Sequence, residues 1–209
     1  MTRGALIVFE GCDKSGKSTQ CKKLVDVLNQ NGIKTEQWRF PERSTAIGQV
    51  INSYIEKKCE LHDRAVHLLF SANRWELFPL MKEKIEAGVT IIVDRYAFSG
   101  VAFTSAKGLD LEWCKSCDRE LPTPDQVFYL DIPIDEASTR GDFGGERYEV
   151  SSFQKTVQEK FKLLQDDSWN VIDARGSIET IHKEIHESTL KTIAKNQNKP
   201  LQMLSLIHI

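Results

Sequence analysis

The eight residues Gly11-Cys12-Asp13-Lys14-Ser15-Gly16-Lys17-Ser18 match the pattern G-x-x-x-x-G-K-[ST] in full. An apolar run, Ala5 to Glu10, precedes them and a helix-period segment follows. In that setting glycines let successive backbone N–H groups turn toward phosphate oxygens, at a helix N-terminus whose partial positive charge favours anions. Lys17 is expected to reach the β- and γ-phosphates of ATP, and the Ser18 hydroxyl to ligate Mg²⁺. Asp13, Lys14, Ser15, Gly16 and Thr19 complete the expected ATP cradle. A second acidic candidate, Asp94, ends the apolar run Val89-Thr90-Ile91-Ile92-Val93-Asp94. At the carboxyl edge of a sheet it would serve Mg²⁺ directly or through a water, or else cap a helix. The phosphate cradle favours the metal role.

A phosphate cradle serves switches as well as enzymes. The guanine-reading N-K-x-D motif is absent, since Asn198-Lys199 continues into Pro200 and Leu201. A phosphoryl-transfer enzyme needs a second anion site and cations to meet the charge spread over the transferring group. Arg43 and Arg95 follow expected strands and should project at the carboxyl edge, and Arg74 lies on a long helix. An enzyme is therefore expected, with an ATP-dependent switch as the alternative from another class.

Elements that could position these residues alternate as strand and helix, which predicts a parallel α/β sheet. Strands are expected over 5–10, 34–40, 89–94 (central in the sheet), 125–131 and 169–173. Helices are expected over 18–31, 45–58, 62–87 with a kink or break at Pro79, 152–165 and 177–194. The stretch from Thr139 to Val150, rich in glycine and charge, reads as a mobile lid loop. Residues 1–195 should form one domain. The tail from 196 to 209, ending LQMLSLIHI, is either a docking segment or an artificial extension. With 209 residues, 40% hydrophobic and 28% charged, the chain can bury a sizeable core. A net charge of −2 argues against a nucleic-acid backbone as partner. No apolar run is long enough to span a membrane. Five scattered cysteines, including a lone C-x-x-C at Cys114 and Cys117, suit a reducing compartment, the cytoplasm, and inert thiols.

The segments FEGCDKSGKSTQ, RFPERST, HLLFSANRWE, VDRYAFSGVAFT, LPTPDQVFYLD and GERYE, with FQ shortly after, resemble the thymidylate kinases of the eukaryotic and poxviral type across nearly the whole chain. The resemblance implies a P-loop kinase with a five-stranded parallel sheet flanked by helices, a homodimer, and transfer of the ATP γ-phosphate to dTMP. Another nucleoside or nucleoside monophosphate kinase is the near alternative, which RFPERST and ANRWE disfavour. Carried over by position, the likeness gives Arg43 and Arg95 to the acceptor phosphate, Phe70 to stacking on thymine and Arg74 to a base carbonyl. It gives Asp13 to the sugar 3′-hydroxyl, Tyr148 to the deoxyribose side, Gly100 and Phe103 to the pocket wall, and Gln154 to a lid-side contact. Arg140 would lie over adenine, and Arg175 is a further, lesser candidate there. The likeness departs at position 14, where many relatives carry arginine and this chain has Lys14, and at the C-terminus. Lys14, Lys17, Arg95 and Asp94 are the residues expected to act in the chemistry.

Overall fold

The computed structural model describes residues 2–141 and 143–205. Five strands, β1 (Leu6–Glu10), β2 (Thr35–Arg39), β3 (Thr90–Asp94), β4 (Gln126–Asp131) and β5 (Trp169–Asp173), form one sheet in the order β2-β3-β1-β4-β5. Every neighbouring pair is parallel. Strand alternation explains why β1 reads as a continuous apolar run. Leu6 and Val8 enter the cluster on one face, with Met81, Val101 and Phe161, while Ile7 and Phe9 enter the other, with Leu24, Leu28 and Ile185. Both faces are covered, so neither set of side chains meets water. β3 is interior, but β1 holds the middle of the sheet, a correction to the expected centre.

Helices α1 (Lys17–Gln30), α2 (Ala46–Ile55), α3 (Asp63–Glu86), α4 (Ala97–Ser105), α5 (Leu111–Ser116), α6 (Ile134–Ala137), α7 (Ser151–Leu164) and α8 (Ile178–Asn196) connect and cover the strands. Of the kink or break expected at Pro79, the break is not there: α3 continues through it. One missing N–H inside a helix packed on the core through Met81 and Ile85 does not outweigh that burial. Three helices were not expected. α4 is buried on most of its sides and so shows no polar stripe, while α5 and α6 are six and four residues long, too short for a periodic signal. Of the 196–209 tail, residues 197–205 fold back onto the chain, where Met203 pairs antiparallel with Pro122 and Leu204 is buried, and 206–209 lie outside the described residues.

This topology sets the site. β1 has β3 on one side and β4 on the other, and the connections after β1 and β3 leave the sheet at its carboxyl edge, where a doubly wound sheet opens a crevice.

Candidate active site

The loop from Gly11 to Gly16 leaves β1 and enters α1 directly. Gly16 takes φ 98° as the helix N-cap, a conformation natural only to glycine, and offers no side chain to cap the first turn. By contrast Thr45, His62, Asp110 and Ser177 cap α2, α3, α5 and α8 with their own side chains. The first N–H groups of α1 are thus left for an incoming anion. Lys17 is buried, and its ammonium donates to the Cys12 carbonyl at 2.7 Å and to Ser15 Oγ at 3.2 Å. Burial, with Arg95 nearby, brings its pKa down to about 8. Ser18 Oγ donates to Asp94 Oδ2. Asp94 therefore meets the cradle rather than capping α4, whose first N–H groups at Tyr96 and Ser99 go instead to Glu10 Oε1, at 2.9 and 3.1 Å.

Glu10 is wholly buried, which pushes its pKa up, and its other oxygen accepts from Ser99 Oγ. Ser99 in turn takes a bond of 3.0 Å from Arg95 Nη1, which also reaches the Gly11 carbonyl at 3.0 Å. Arg95 Nη2 donates to Asp13 Oδ1 at 2.6 Å, and the guanidinium carbon lies 5.1 Å from the Phe103 ring centre. Gln154 completes the junction: its Oε1 accepts from the Asp13 backbone N–H at 3.0 Å, and its Nε2 donates to Asp13 Oδ2 at 2.6 Å and to the Tyr148 carbonyl at 2.9 Å.

Two cavities meet at this junction. The smaller is lined by Arg43, Phe70, Arg74, Gly100, Phe103 and Tyr148 among others. Phe70 and Arg74 stand four residues apart on α3, and Gly100 and Phe103 three apart on α4, so each pair shares a helix face. The larger runs along the cradle from Asp13 to Thr19 and on to Arg140. Arg140 Nη2 is held at 2.9 Å by the Ala174 carbonyl. Asp13, Arg39, Arg95 and Glu146 line both cavities.

The lid loop covers the cradle. Glu149 Oε2 accepts the backbone N–H groups of Gly144, Gly145 and Glu146, and its Oε1 lies 3.5 Å from Lys14 Nζ. Lys14 itself sits at φ 61°. Glu146 accepts from Arg43 Nη2 at 2.9 Å, while Arg43 Nη1 donates to Asn52 Oδ1. Tyr148 stacks on Phe153, with ring centres 5.6 Å apart.

The structure thus brings together all the expected residues except Arg175, whose guanidinium is taken by Asp173 at 2.7 Å on an exposed turn and does not line the cradle. Sequence reasoning missed Glu10, Arg39, Asp118, Glu146 and Glu149. Arg39, Glu146 and Glu149 could have been suspected from their places in RFPERST and GERYE, and Glu10 from its place in FEGCDKSGKSTQ; Asp118 lies in none of these segments. Among the described residues no group of three or more His, Cys, Asp or Glu side chains could cage a metal. The hydroxyl of Ser18 and the carboxylate of Asp94 are hard oxygen donors that suit Mg²⁺, which keeps waters and substrate phosphates as its other ligands.

A glycine-rich cradle at the carboxyl edge of a parallel sheet, with a second cationic pocket across a shared wall, defines a P-loop phosphotransferase of small molecules. A family model described as thymidylate kinase matches residues 9–185. The thymidylate kinase of Danio rerio is 55% identical over 203 residues, covering 95% of this chain and 96% of that protein. That of Homo sapiens is 51% identical over 203 residues, with the same two shares. A solved structure of the thymidylate kinase from Candida albicans superposes with a TM-score of 0.90 at 36% identity, covering 98% of this chain and all of that one. The chain belongs to the thymidylate kinase family, and it is an enzyme.

Proposed function

We infer that the chain transfers the γ-phosphate of ATP to dTMP, giving dTDP, with ATP on the cradle and dTMP in the smaller pocket. One observation carries this division: Asp13 and Arg95 line both cavities, so the two anion sites share a wall that bears a guanidinium. Proximity of the two phosphates across that wall supplies much of the catalysis in phosphoryl transfer. Phe70 offers a ring face to thymine and Arg74 a donor to its carbonyl oxygen. Asp13, whose carboxylate oxygens each keep a free lone pair beyond the bonds to Arg95 and Gln154, accepts from the 3′-hydroxyl. Tyr148 and Phe103 close the sugar side, and Arg140 lies along the adenine end of the cleft. Ser18 and Asp94 hold Mg²⁺, which when bound neutralises charge on the phosphates.

Incubated with MgATP, the purified enzyme is expected to phosphorylate dTMP well ahead of AMP, GMP, CMP and unphosphorylated thymidine, measured as ADP release over that panel. Preference for any of the others would overturn the reading, and ADP release independent of acceptor would favour an ATP-dependent switch.

Lys14 contributes to the charge facing the γ-phosphate. Its ammonium stands 3.5 Å from Glu149, so an ion pair ties this cation to the lid loop. A lysine offers a point charge without the two-pronged fork of arginine, and so falls short of the roughly 10³–10⁵ of an arginine finger. Lys14→Ala should lower kcat by about tenfold with the KM for dTMP little changed, and Lys14→Arg should retain or raise kcat. Equal kcat in Lys14→Ala and wild type at saturating substrates would make Lys14 a bystander.

The enzyme works as a homodimer. Val50 on α2 and Leu68 and Leu80 on α3 are large apolar side chains left exposed on the chain alone, which supports an interface there. Light scattering should return twice the chain mass. Its compartment is the cytoplasm, in keeping with five free thiols, two of which, Cys12 and Cys114, burial pushes up to about 11. No helix among the described residues is long and apolar enough to cross a membrane.

A further inference from the structure

Arg74 is the most enclosed cation of the smaller pocket, with a side chain only 2% exposed. Asp118, 0% exposed, holds it: Nε donates to Oδ1 at 2.9 Å and Nη2 to Oδ2 at 2.6 Å. Two parallel bonds are the geometry in which a guanidinium and a carboxylate fix each other's plane. The third nitrogen, Nη1, donates to no described residue, yet it is not among the buried side-chain atoms left without a partner. The surface left to it is the pocket that Arg74 lines. Gly100 closes the opposite side, where a Cβ would lie 2.8 Å from Nη2 and 3.3 Å from Nη1.

Asp118 is itself anchored to the helix it acts on. Ser71 Oγ and Trp75 Nε1, both on α3, donate to the Cys117 carbonyl at 2.8 and 3.0 Å. The loop after α5 is thus pinned one residue before Asp118 to the same turns of α3 that carry Arg74. Carboxylate, guanidinium and helix form one rigid unit with a single free donor edge.

We propose that Asp118 is a positioning residue that sets the choice of base, by holding Arg74 so that only N–H donors face the base edge. The proposal rests on the placement of dTMP given above. An oxo group opposite Nη1, as in thymine, accepts its bond, whereas the amino group that cytosine carries at that ring position would bring N–H against N–H. Arginine has no lone pair and no tautomer or flip that makes it an acceptor, unlike the amide of Asn or Gln. The remaining escape would be for the guanidinium to swing aside and admit a water that accepts from the amino group, and the Asp118 fork removes that freedom. Rejection of the wrong base then comes from a donor that cannot move away.

The test measures kcat/KM for dTMP and for dCMP, at saturating MgATP, in wild type, Asp118→Asn and Asp118→Glu. Asp118→Asn turns one of the two acceptors into a donor and breaks the fork. It should raise the KM for dTMP, leave the KM for ATP unchanged and lower the dTMP-to-dCMP ratio by about tenfold or more. Asp118→Glu, which keeps the charge, should recover part of the ratio. Because both substrates are assayed on one preparation, the ratio does not depend on how much of it is folded, and a merely structural loss leaves it unmoved. Should Asp118→Asn yield no soluble protein, Gly100→Ala presses on the same guanidinium from the other side and should lower the ratio likewise. An unchanged ratio in the soluble variant overturns the proposal. A wild-type enzyme inactive on dTMP would instead overturn the function on which it rests.

Discussion

Arg95→Ala is expected to lower kcat by about 10²–10³, the loss typical of a donor aimed at charge that develops during reaction. Arg95 follows β3 at φ 70° and lines both cavities, bonded to Asp13, Gly11 and Ser99. A cation on the wall between donor and acceptor meets the phosphoryl group in transit. Arg43 lines the acceptor pocket and not the cradle, so it meets the dTMP phosphate equally before and during transfer. Uniform binding lowers KM without raising kcat. The two substitutions should therefore separate: Arg43→Ala raises the KM for dTMP with kcat nearly kept, while Arg95→Ala loses kcat. Alanine at a left-handed position carries the same backbone strain as arginine there, so the comparison is not confounded by new strain. Arg95→Lys keeps the charge but forfeits the fork to Gly11, Ser99 and Asp13, and should fall between. Steady-state kinetics with both substrates varied decide the matter, and a near-normal kcat in Arg95→Ala would remove it from the chemistry.

What could be read from the sequence divides by distance along the chain. The cradle is eight consecutive residues between a strand and a helix, and Arg95 follows Asp94 directly, so each is visible in a short window. β5 was expected over 169–173 and lies there. The contacts that orient these groups are of another kind. Glu10 reaches Ser99 across 89 positions, Asp118 reaches Arg74 across 44, and Gln154 reaches Asp13 across 141. No periodicity marks such a partner, because a buried carboxylate is placed by the tertiary fold and not by its neighbours in sequence. Gln154 was found through the family likeness alone, and Asp118 and Glu10 were not found. α4 failed for a related reason: sandwiched between α3, α5 and α7, it needs no polar face, so the rule that reads helices from their wet side has nothing to read.

Lys17→Met should move activity and stability in opposite directions. In the ligand-free protein the ammonium is buried, and its pKa is drawn down from an ordinary 10.5 to about 8. A base whose folded pKa is depressed binds protons less well folded than unfolded, so at neutral pH its ionised form opposes folding by roughly 3 kcal/mol at most. The bonds to Cys12 and Ser15 return part of that. Methionine keeps the volume of the stem and removes the charge, so the ligand-free variant should melt a few degrees higher, at about 2–4 °C per kcal/mol for a chain of this length. The sign fixes the pH window: the penalty is complete below pH 8 and fades as pH climbs from 8 toward 10.5, so the difference in Tm should shrink over that interval. Activity runs the other way. The same ammonium is the cradle's charge for the β- and γ-phosphates, and losing it should lower kcat/KM for ATP by about 10³ or more. ATP should then raise the Tm of wild type and scarcely that of Lys17→Met, since only a ligand that binds the folded state stabilises it. Thermal melts with and without MgATP at pH 7 and pH 10 check the statements on stability, and steady-state kinetics with ATP varied check the loss of activity. A Lys17→Met enzyme less stable than wild type at pH 7 would mean that Lys17 is held by its bonds rather than strained by its burial.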